Sequence, residues 1–329
     1  MSGMSEQQSL HPADKTRAVD VSIIIVTWNV GDLVTTCLRS LESTSSTLVQ
    51  EIIVVDSASS DDTVAQIRNN FPDVMLLPQT ENLGFTRCNN IGLAKAGGRH
   101  LFLLNPDTEV IGDAVGEMVR YLDAHSKVGI VGPHTLNTDR STQSTRRRFP
   151  TSVLAFFEST WLQPYTPKGW LERYYVTDRA DGDIFDVDWV QGSALMARRE
   201  VYQQIGGLDE QYTMYFEELD WCKRAKDVGW GVTYLGAVQI IHHSGKSSDQ
   251  AGARKHIYFQ RSKLHYFGKY HGAGITFILR LFLLSSYAVQ IVIEGAKSLF
   301  GSKPDMRRDR IAAYWQVLRS GLSTTDPSS

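Results

Sequence analysis

Cysteine is scarce in this chain of 329 residues: Cys37, Cys88 and Cys222 are odd in number, widely spaced and in no metal-ligand pattern. That argues against a disulfide framework and for a reduced, cytoplasmic protein. No GxGxxG follows the first apolar run, and no GxxxxGK(S/T) occurs, so neither a dinucleotide fingerprint nor a P-loop is present. The first 20 residues have no apolar core and read as a loose tail rather than a signal peptide. Uncharged apolar runs are short as well. The longest apolar segment, residues 275–293, is interrupted by Arg280 and Gln290. Its uncharged centre, residues 281–289, falls short of the ~20 residues a spanning helix needs. Internal repeats and low-complexity tracts are absent.

What is present fits a soluble globular protein, with 42% apolar and 21% charged residues. The length allows one large domain plus an appendage. The net charge of -2 hides an asymmetry: residues 246–329 hold 13 Lys and Arg against 5 Asp and Glu, while the rest is acidic. That basic end contains the longest apolar segment. Such a segment either lies on an anionic membrane surface or packs on the main domain, and both readings stay open. Nothing points to nucleic acid.

Residues 21–27 (VSIIIVT) and 51–55 (EIIVV) are β-branched runs expected of strands buried on both faces. A helix is expected over 32–41 from Leu33, Cys37, Leu38 and Leu41. Residues 57–62 form a polar turn that caps a helix over 63–70. Short strands are expected at 74–77 and 100–104, with a helix over 90–96 between them. Alternating strands and helices imply a largely parallel sheet covered on both faces. Ligands bind outside the carboxyl ends of such strands. Thr27-Trp28-Asn29, Asp56 and Asn105-Pro106-Asp107 stand at those ends. Farther on, residues 135–168 read as a long polar and aromatic excursion containing Arg146, Arg147 and Arg148. Strand character returns at 186–196, a short helix follows at 198–205, and further strands are expected at 231–235 and 238–241.

The acids are the chemical signal. Residues 206–224, GGLDEQYTMYFEELDWCKR, place Asp209, Glu210, Glu217, Glu218 and Asp220 among aromatic and aliphatic neighbours. Burial and neighbouring acids both raise a carboxyl's pKa, which suits a general base, although the same run could be a solvated helix start. Asp107 follows an apolar strand. One carboxylate plus diphosphate oxygens is an ordinary Mg²⁺ or Mn²⁺ arrangement, while a lone NPD triplet is more often a turn. Adjacent His242 and His243 on a strand point to opposite faces, so at most one reaches a shared site. Asp56 could accept from a pyrimidine ring N–H, or it could serve as a helix N-terminal acid, a role Asp61 or Asp62 fits better. The three arginines could hold phosphate or simply be solvated.

In order, VSIIIVTWN, IIVVDSASSDDT, ENLGFTRCNNIGL, FLLNPDTEV, WVQGSALMARREVYQQIGGLDEQYTMYFEELDWCKR and IIHHSGKSS resemble the bacterial family 2 inverting glycosyltransferases, in their rhamnosyltransferase-like branch. The resemblance covers about residues 21–272. It implies a GT-A fold, a Rossmann-like mixed α/β sheet with helices on both faces, over residues 21–245. A tail would precede it at 1–20, and a basic helical region would follow at 246–329. By position it implies Thr27 and Asn29 in a nucleotide pocket, Asp56 on the pyrimidine, and Gly84, Phe85 and Asn89 near ribose and diphosphate. Asp107 and His242 would hold Mn²⁺ or Mg²⁺, with Asn105 in place of the family's first acid. Gln191 and Gly192 would border sugar and acceptor. Glu218 matches the catalytic base, usually Asp; the extra methylene leaves Glu217 and Asp220 as alternatives. Arg87 and Cys88 stand where the family has small residues.

The resemblance implies sugar transfer, with rhamnose from dTDP-rhamnose as the leaning, to a glycan or polyprenyl-diphosphate-linked acceptor in cell-surface polysaccharide synthesis. The protein would sit at the inner face of the plasma membrane. One alternative is a catalytically impaired nucleotide-sugar-binding protein. A nucleotidyltransferase of the same fold would need a Gly-rich basic loop after the first strand, and TWNVGD is not one.

Overall fold

A computed structural model describes residues 18–44, 47–243, 253–300 and 304–323; most of the expected N-terminal tail lies outside them. Buried β-branched runs build the centre of a nine-stranded mixed sheet. Strand β1 (Val21–Thr27) is buried at every residue, and β2 (Gln50–Asp56) at its last four. β1 lies parallel to β2 on one side and to β4 (His100–Leu104) on the other. β3 (Met75–Pro78) extends the parallel half from β2. Beyond β4 the sheet turns antiparallel through β10 (Ala194–Arg198), which also pairs with β6 (Val128–Leu136). β11 (Gly231–His242) runs parallel to β6 and carries β5 (Thr108–Val110) and β8 (Ile184–Asp186). A separate two-stranded ribbon joins β7 (Arg146–Arg147) to β9 (Trp189–Val190).

Alternation along β1 divides the core. Ile23 and Ile25 face α1 (Gly31–Glu42), α2 (Thr63–Asn70) and α4 (Ala114–Ala124), whose Val34, Leu38, Ile67, Val115 and Met118 fill that side. Ile24 and Val26 face α3 (Gly84–Lys95), α7 (Arg199–Ile205) and α8 (Glu217–Asp227), which contribute Cys88, Leu93, Val201 and Trp221. The expected two-faced α/β sheet is therefore the observed one.

Several local expectations differ from the structure. α3 begins six residues before the predicted start, at Gly84, whose φ of +77° an L side chain rarely adopts. Its first turn lacks the apolar spacing that would mark it as helix. Residues 186–196 are three short strands, because the chain turns at 191–193 between β9 and β10. The two strands expected within 231–241 are one strand, with a register shift between Leu235 and Gln239. The excursion at 135–168 extends β6 and holds β7 and a short helix α5 (Leu154–Phe157); α6 (Lys168–Tyr175) follows.

The C-terminal helices are α9 (Ala253–His271), α10 (Ala273–Phe300) and α11 (Pro304–Ser320). The interrupted apolar segment is thus part of one continuous helix, and Ala273–Ser298 is long and apolar enough to cross a membrane, though only 22% of its apolar window is buried. Arg280 does not break it, because its guanidinium turns inward to the carbonyl of Gly321 at 2.8 Å. These helices share a core with the sheet domain: Leu264, Phe267, Leu279, Leu283 and Val317 pack with Tyr212 and with Leu219 of α8.

A polar lock fastens the same junction. Asp220 has no exposed side-chain surface. Its carboxylate accepts from Arg224 Nε, Lys269 Nζ and Tyr270 OH, each at 2.7 Å. Removing one member of such a buried set leaves the others without a counter-charge. Asp220→Ala should therefore lower unfolding free energy by about 3 kcal/mol in chemical denaturation. Asp227→Ala, which removes only a half-exposed i,i+4 pair with Lys223, should change it by less than ~0.5 kcal/mol.

Candidate active site

Strand register brings the sequence-predicted residues to one rim. Thr27 ends β1 directly opposite Asp56 at the end of β2. The Thr27 hydroxyl is buried and has no hydrogen-bond partner among the described residues. Asn29 takes a left-handed φ of 51°. Its N–H donates to Ser59 Oγ at 2.8 Å, and its Oδ1 accepts from the Ser60 N–H at 2.7 Å. A cleft of about 260 Å³ opens there, bounded by Asn29, Asp32, Asp61 and Asp62. Asp56 is 1% exposed. One of its oxygens accepts from the Ser59 N–H at 2.9 Å and the other from the Ser59 hydroxyl. The carboxylate thus organises the turn at 57–62, with one hydrogen bond on each oxygen and a lone pair left on each for a further donor such as a ring N–H. Asp61, not Asp56, meets the start of α2, accepting from the Thr63 N–H at 3.0 Å.

Gly84 and Phe85 open α3 nearby, where the Gly84 N–H donates to Asn82 Oδ1. Asn89 is 1% exposed, and its amide donates back to the Phe85 carbonyl at 3.0 Å. It holds the first turn of α3 in place. Arg87 points away to Glu210, and Cys88 is buried.

Asp107 and His242 meet because β5 and β11 pair antiparallel, with Thr108 opposite His242. His242 Nε2 stands 3.2 Å from Asp107 Oδ1, yet that oxygen has no hydrogen-bond partner. Gln143 donates its amide N–H to the His242 carbonyl at 2.7 Å, which turns its Oε1 toward Nδ1 at 3.0 Å. Nδ1 therefore carries a proton, and Nε2 is the ring atom that faces the carboxylate. An unprotonated Nε2 would set two acceptors in contact, an arrangement that a bound cation satisfies. Asn105 adds a third acceptor, a buried Oδ1 without a partner, while its Nδ2 lies 3.4 Å from His242 Nε2. Carboxylate, imidazole and amide oxygen suit Mn²⁺ or Mg²⁺ when phosphate oxygens complete the shell. Among the described residues no group of three His, Cys, Asp or Glu converges, so the chain leaves most positions to other ligands. His243 points the other way, to Glu109 at 2.5 Å.

Glu217 and Glu218 open α8 after two successive left-handed residues, Tyr215 and Phe216, both at φ 70°. Such a conformation costs of order 1–3 kcal/mol per non-glycine residue and marks a functional constraint. It leaves Glu217 buried and Glu218 partly buried, with the Oε2 of each out of solvent and unpartnered. Desolvation pushes both above the ordinary glutamate range, Glu217 the further because Glu218 adds like charge. Glu218 is held back by backbone N–H groups and by the charge of Arg147. The two titrate as a pair, with the Gly192 N–H and the charge of Arg147 on the Glu218 side. Its Oε1 accepts from the Gly192 N–H at 3.3 Å, and a Cβ on Gly192 would lie 3.4 Å from its side chain. Gln191 adjoins, its N–H bonded to the Thr145 carbonyl. The next residue, Ser193, accepts from the Asn105 N–H at 2.9 Å, which ties the carboxyl pair to the Asp107 side. Asp220, by contrast, is committed to the lock on α9 and stands outside the site.

Sequence reasoning missed Gln143, the strained Tyr215-Phe216 pair and the distinct role of Arg147. Gln143 lay in a stretch without periodicity, and no residue type signals positive φ at a tyrosine or phenylalanine.

Comparison with known proteins gives the family and the fold. The family profile described as "Glycosyl transferase family 2" matches residues 22–206. The N-acetylglucosaminyl-diphospho-decaprenol L-rhamnosyltransferase of Mycobacterium tuberculosis is 26% identical over 85% of this chain and 94% of its own. The dTDP-rhamnosyl transferase RfbF of Shigella flexneri is 21% identical over 70% of this chain and 71% of its own. Among solved structures, the mannosyltransferase PcManGT of Pyrobaculum calidifontis, in complex with GDP-Man and Mn²⁺, has a TM-score of 0.55 at 18% identity. The match covers 94% of this chain and 87% of that one, a likeness of fold.

The buried carboxyl pair has a signature in stability. A carboxyl whose folded pKa is raised keeps its full contribution below the unfolded pKa and loses stability as pH rises through the folded one. Glu217→Gln removes that loss. Its stability relative to the unsubstituted protein should be unchanged near pH 4.5 and should grow steadily toward pH 8, as read from thermal melts across that range.

Proposed function

This chain belongs to glycosyl transferase family 2, and from that membership we propose that it transfers a sugar from a nucleoside-diphosphate donor to a lipid-linked acceptor in a single inverting displacement. The observation that carries the reading is the pairing, across Gly192-Ser193, of a desolvated carboxyl with the Asp107–His242 contact. One group accepts a proton and the other faces a diphosphate. Thr27 and Asn29 border the nucleotide. Rhamnose from dTDP-rhamnose is the donor favoured by the two rhamnosyltransferase relatives, and a polyprenyl-diphosphate-linked sugar is the acceptor that the mycobacterial relative's name suggests.

Glu218 takes the proton from the acceptor hydroxyl as that oxygen attacks the anomeric carbon. Its desolvated site keeps the carboxylate basic, and the Gly192 N–H fixes its orientation. Glu217 beside it is raised by burial and by the like charge of Glu218, which favours one charge on the pair. No side chain serves as a nucleophile, so one displacement inverts the anomeric centre. Asp107 Oδ1, His242 Nε2 and Asn105 Oδ1 would hold Mn²⁺ or Mg²⁺, which supplies neutralisation of the charge that develops on the departing nucleoside diphosphate. Gln143 keeps the His242 lone pair available for it. A catalytically impaired binding protein is not favoured, because such a protein has no use for a strained helix start that desolvates two carboxyls.

The acceptor's lipid gives α10 a purpose. Phe277, Ile278, Leu281, Val289, Val292 and Ile293 are exposed along one side of it. The opposite side packs on α9 and α11 through Leu279, Leu283 and Tyr287. α11 carries Arg307, Arg308, Arg310 and Arg319, which would be costly inside a bilayer. The helix therefore lies in the plane of an anionic surface rather than crossing it.

Four outcomes test this reading. Purified protein given dTDP-rhamnose, with UDP- and GDP-sugars as competitors and a membrane lipid extract, should release dTDP, and EDTA should stop it; absence of binding to every nucleotide sugar would sink the assignment. Glu218→Gln should cut turnover by at least ~10²-fold while donor affinity stays within error. The rate should fall as pH drops through the raised pKa of Glu218, at higher pH than an ordinary glutamate would give. The double variant Phe277→Asp, Val292→Asp should stop co-sedimenting with anionic vesicles yet keep donor binding; undiminished sedimentation would remove α10 from the membrane contact.

A further inference from the structure

The three consecutive arginines do not share one role. Antiparallel pairing of β7 with β9 sets Arg146 opposite Val190 and Arg147 opposite Trp189, so their side chains leave on opposite faces of the ribbon. Arg146 is 4% exposed and structural: it meets Asp181 Oδ1 at 2.6 Å and lies over the Tyr234 ring. Arg148 faces Asp188 at 3.7 Å.

Arg147 has no carboxylate within ion-pair reach among the described residues. Its guanidinium lies 4.5 Å from the ring centre of Tyr175 and 5.9 Å from those of Tyr174 and Trp189. Only Nη1 is engaged, donating to Ser144 Oγ at 2.8 Å and to the Arg146 carbonyl at 3.0 Å. Nε and Nη2 donate to nothing described. An arginine held by aromatic rings, with one edge of its donor fork free, is a preorganised seat for a phosphate group. Burial works against its charge, and the electron-rich rings offset part of that cost.

Its place along the chain says which phosphate. Arg147 pairs with Trp189, Gly192 touches Glu218, and Ser193 binds Asn105 beside Asp107. Along residues 189–193, the contact with Glu218 thus falls between the pairing that carries Arg147 and the bond that reaches Asn105, and the charge of Arg147 is felt at Glu218. A donor's diphosphate belongs on the Asp107 side, so the anion at Arg147 belongs to the molecule that delivers the hydroxyl. The excursion that carries Arg147 also reaches α10: Phe156 packs on Phe282, and the Trp161 indole N–H donates to Ser286 Oγ at 3.1 Å. One segment therefore joins the arginine to the helix bearing the exposed apolar face.

We propose that Arg147, in its cage of Tyr174, Tyr175 and Trp189, seats the diphosphate of a lipid-linked sugar acceptor, on the opposite side of Glu218 from Asp107. The sugar ring then spans from the arginine to the base, with its hydroxyl at Glu218 and its lipid directed toward α10. This rests on the reading of the acceptor given above.

The test compares the wild type with Arg147→Met, which keeps the stem, and Arg147→Lys, which keeps the charge without the planar fork. Calorimetry without turnover measures three probes: farnesyl diphospho-N-acetylglucosamine, octyl N-acetylglucosaminide (no phosphate), and dTDP-rhamnose with Mn²⁺. Arg147→Met should weaken the diphosphate probe by about tenfold or more and Arg147→Lys by less. The phosphate-free glycoside and the donor should be unaffected. Loss of donor affinity alone would give the arginine to the donor and overturn the proposal. Equal loss of both acceptor probes would mean that Arg147 acts only by placing Glu218, and would overturn it too. So would failure of the wild type to prefer the diphosphate probe over the glycoside. If no nucleotide sugar binds the wild type, the functional reading itself has failed, and the donor arm reports that separately.

Discussion

Two adjacent carboxyls kept out of water at the start of α8 are the constraint on which the rest of this structure depends. Side by side and desolvated, they oppose folding at neutral pH, and the fold must hold them there by other means. It does so from three directions. Tyr215 and Phe216 accept left-handed backbone to aim the helix start inward. Leu219 and Tyr212 join the core of α9, α10 and α11. Asp220, one turn along, takes its hydrogen bonds from Arg224, Lys269 and Tyr270. The C-terminal helices thus help hold the start of α8, because without α9 the lock on α8 loses two of its donors.

The same economy governs the sheet. Parallel strands leave their carboxyl ends at one rim, which is why residues from β1, β2 and β4 converge there. The mixed half contributes what parallel strands alone would not. β11 returns antiparallel to β5 and so carries His242 up to Asp107, and the turn between β9 and β10 presents Gly192 to Glu218. Gln143 completes the arrangement by fixing a tautomer, with no direct part in the chemistry. The unsatisfied oxygens of Asn105, Asp107, Glu217 and Glu218 are expensive to bury. Their clustering at one rim, where a ligand can satisfy them, is what separates this site from ordinary packing defects.

Much of this was legible in the sequence where local physics decides. The buried runs of β1 and β2, the helix over residues 63–70 and the polar residues at strand ends follow from periodicity and turn chemistry, and the opposite directions of His242 and His243 follow from pleat alternation. The choice among Glu217, Glu218 and Asp220 was not legible, because Asp220 is withdrawn by Lys269 and Tyr270, some fifty residues on. The hold of Ser59 on both oxygens of Asp56 was not legible either, because it depends on the shape of the turn at 57–62. Arg146, Arg147 and Arg148 looked alike, and only the pairing of β7 with β9 gives them different partners. The length of α10 was hidden by Arg280, whose charge is met by a carbonyl from the end of α11.

These assignments bear on one another through the excursion between β6 and β8. It leaves the rim at Gln143, beside His242, passes the aromatic cage at Arg147, and reaches α10 at Phe156 and Trp161 before returning at Tyr174 and Tyr175. A soluble acceptor would need no such route, since it could approach the base from open solvent. An amphiphilic one must keep its lipid in an apolar surface while its sugar enters a desolvated site, so the two environments have to be joined at a fixed spacing. On the acceptor proposed above, the segment between them would set that spacing, and its aromatic residues suit it because each offers an apolar face and several a polar edge. The side chains of this part of the sequence answer to three separate surfaces, the rim at Gln143, the cage at Arg147 and α10, and no single period can serve all of them.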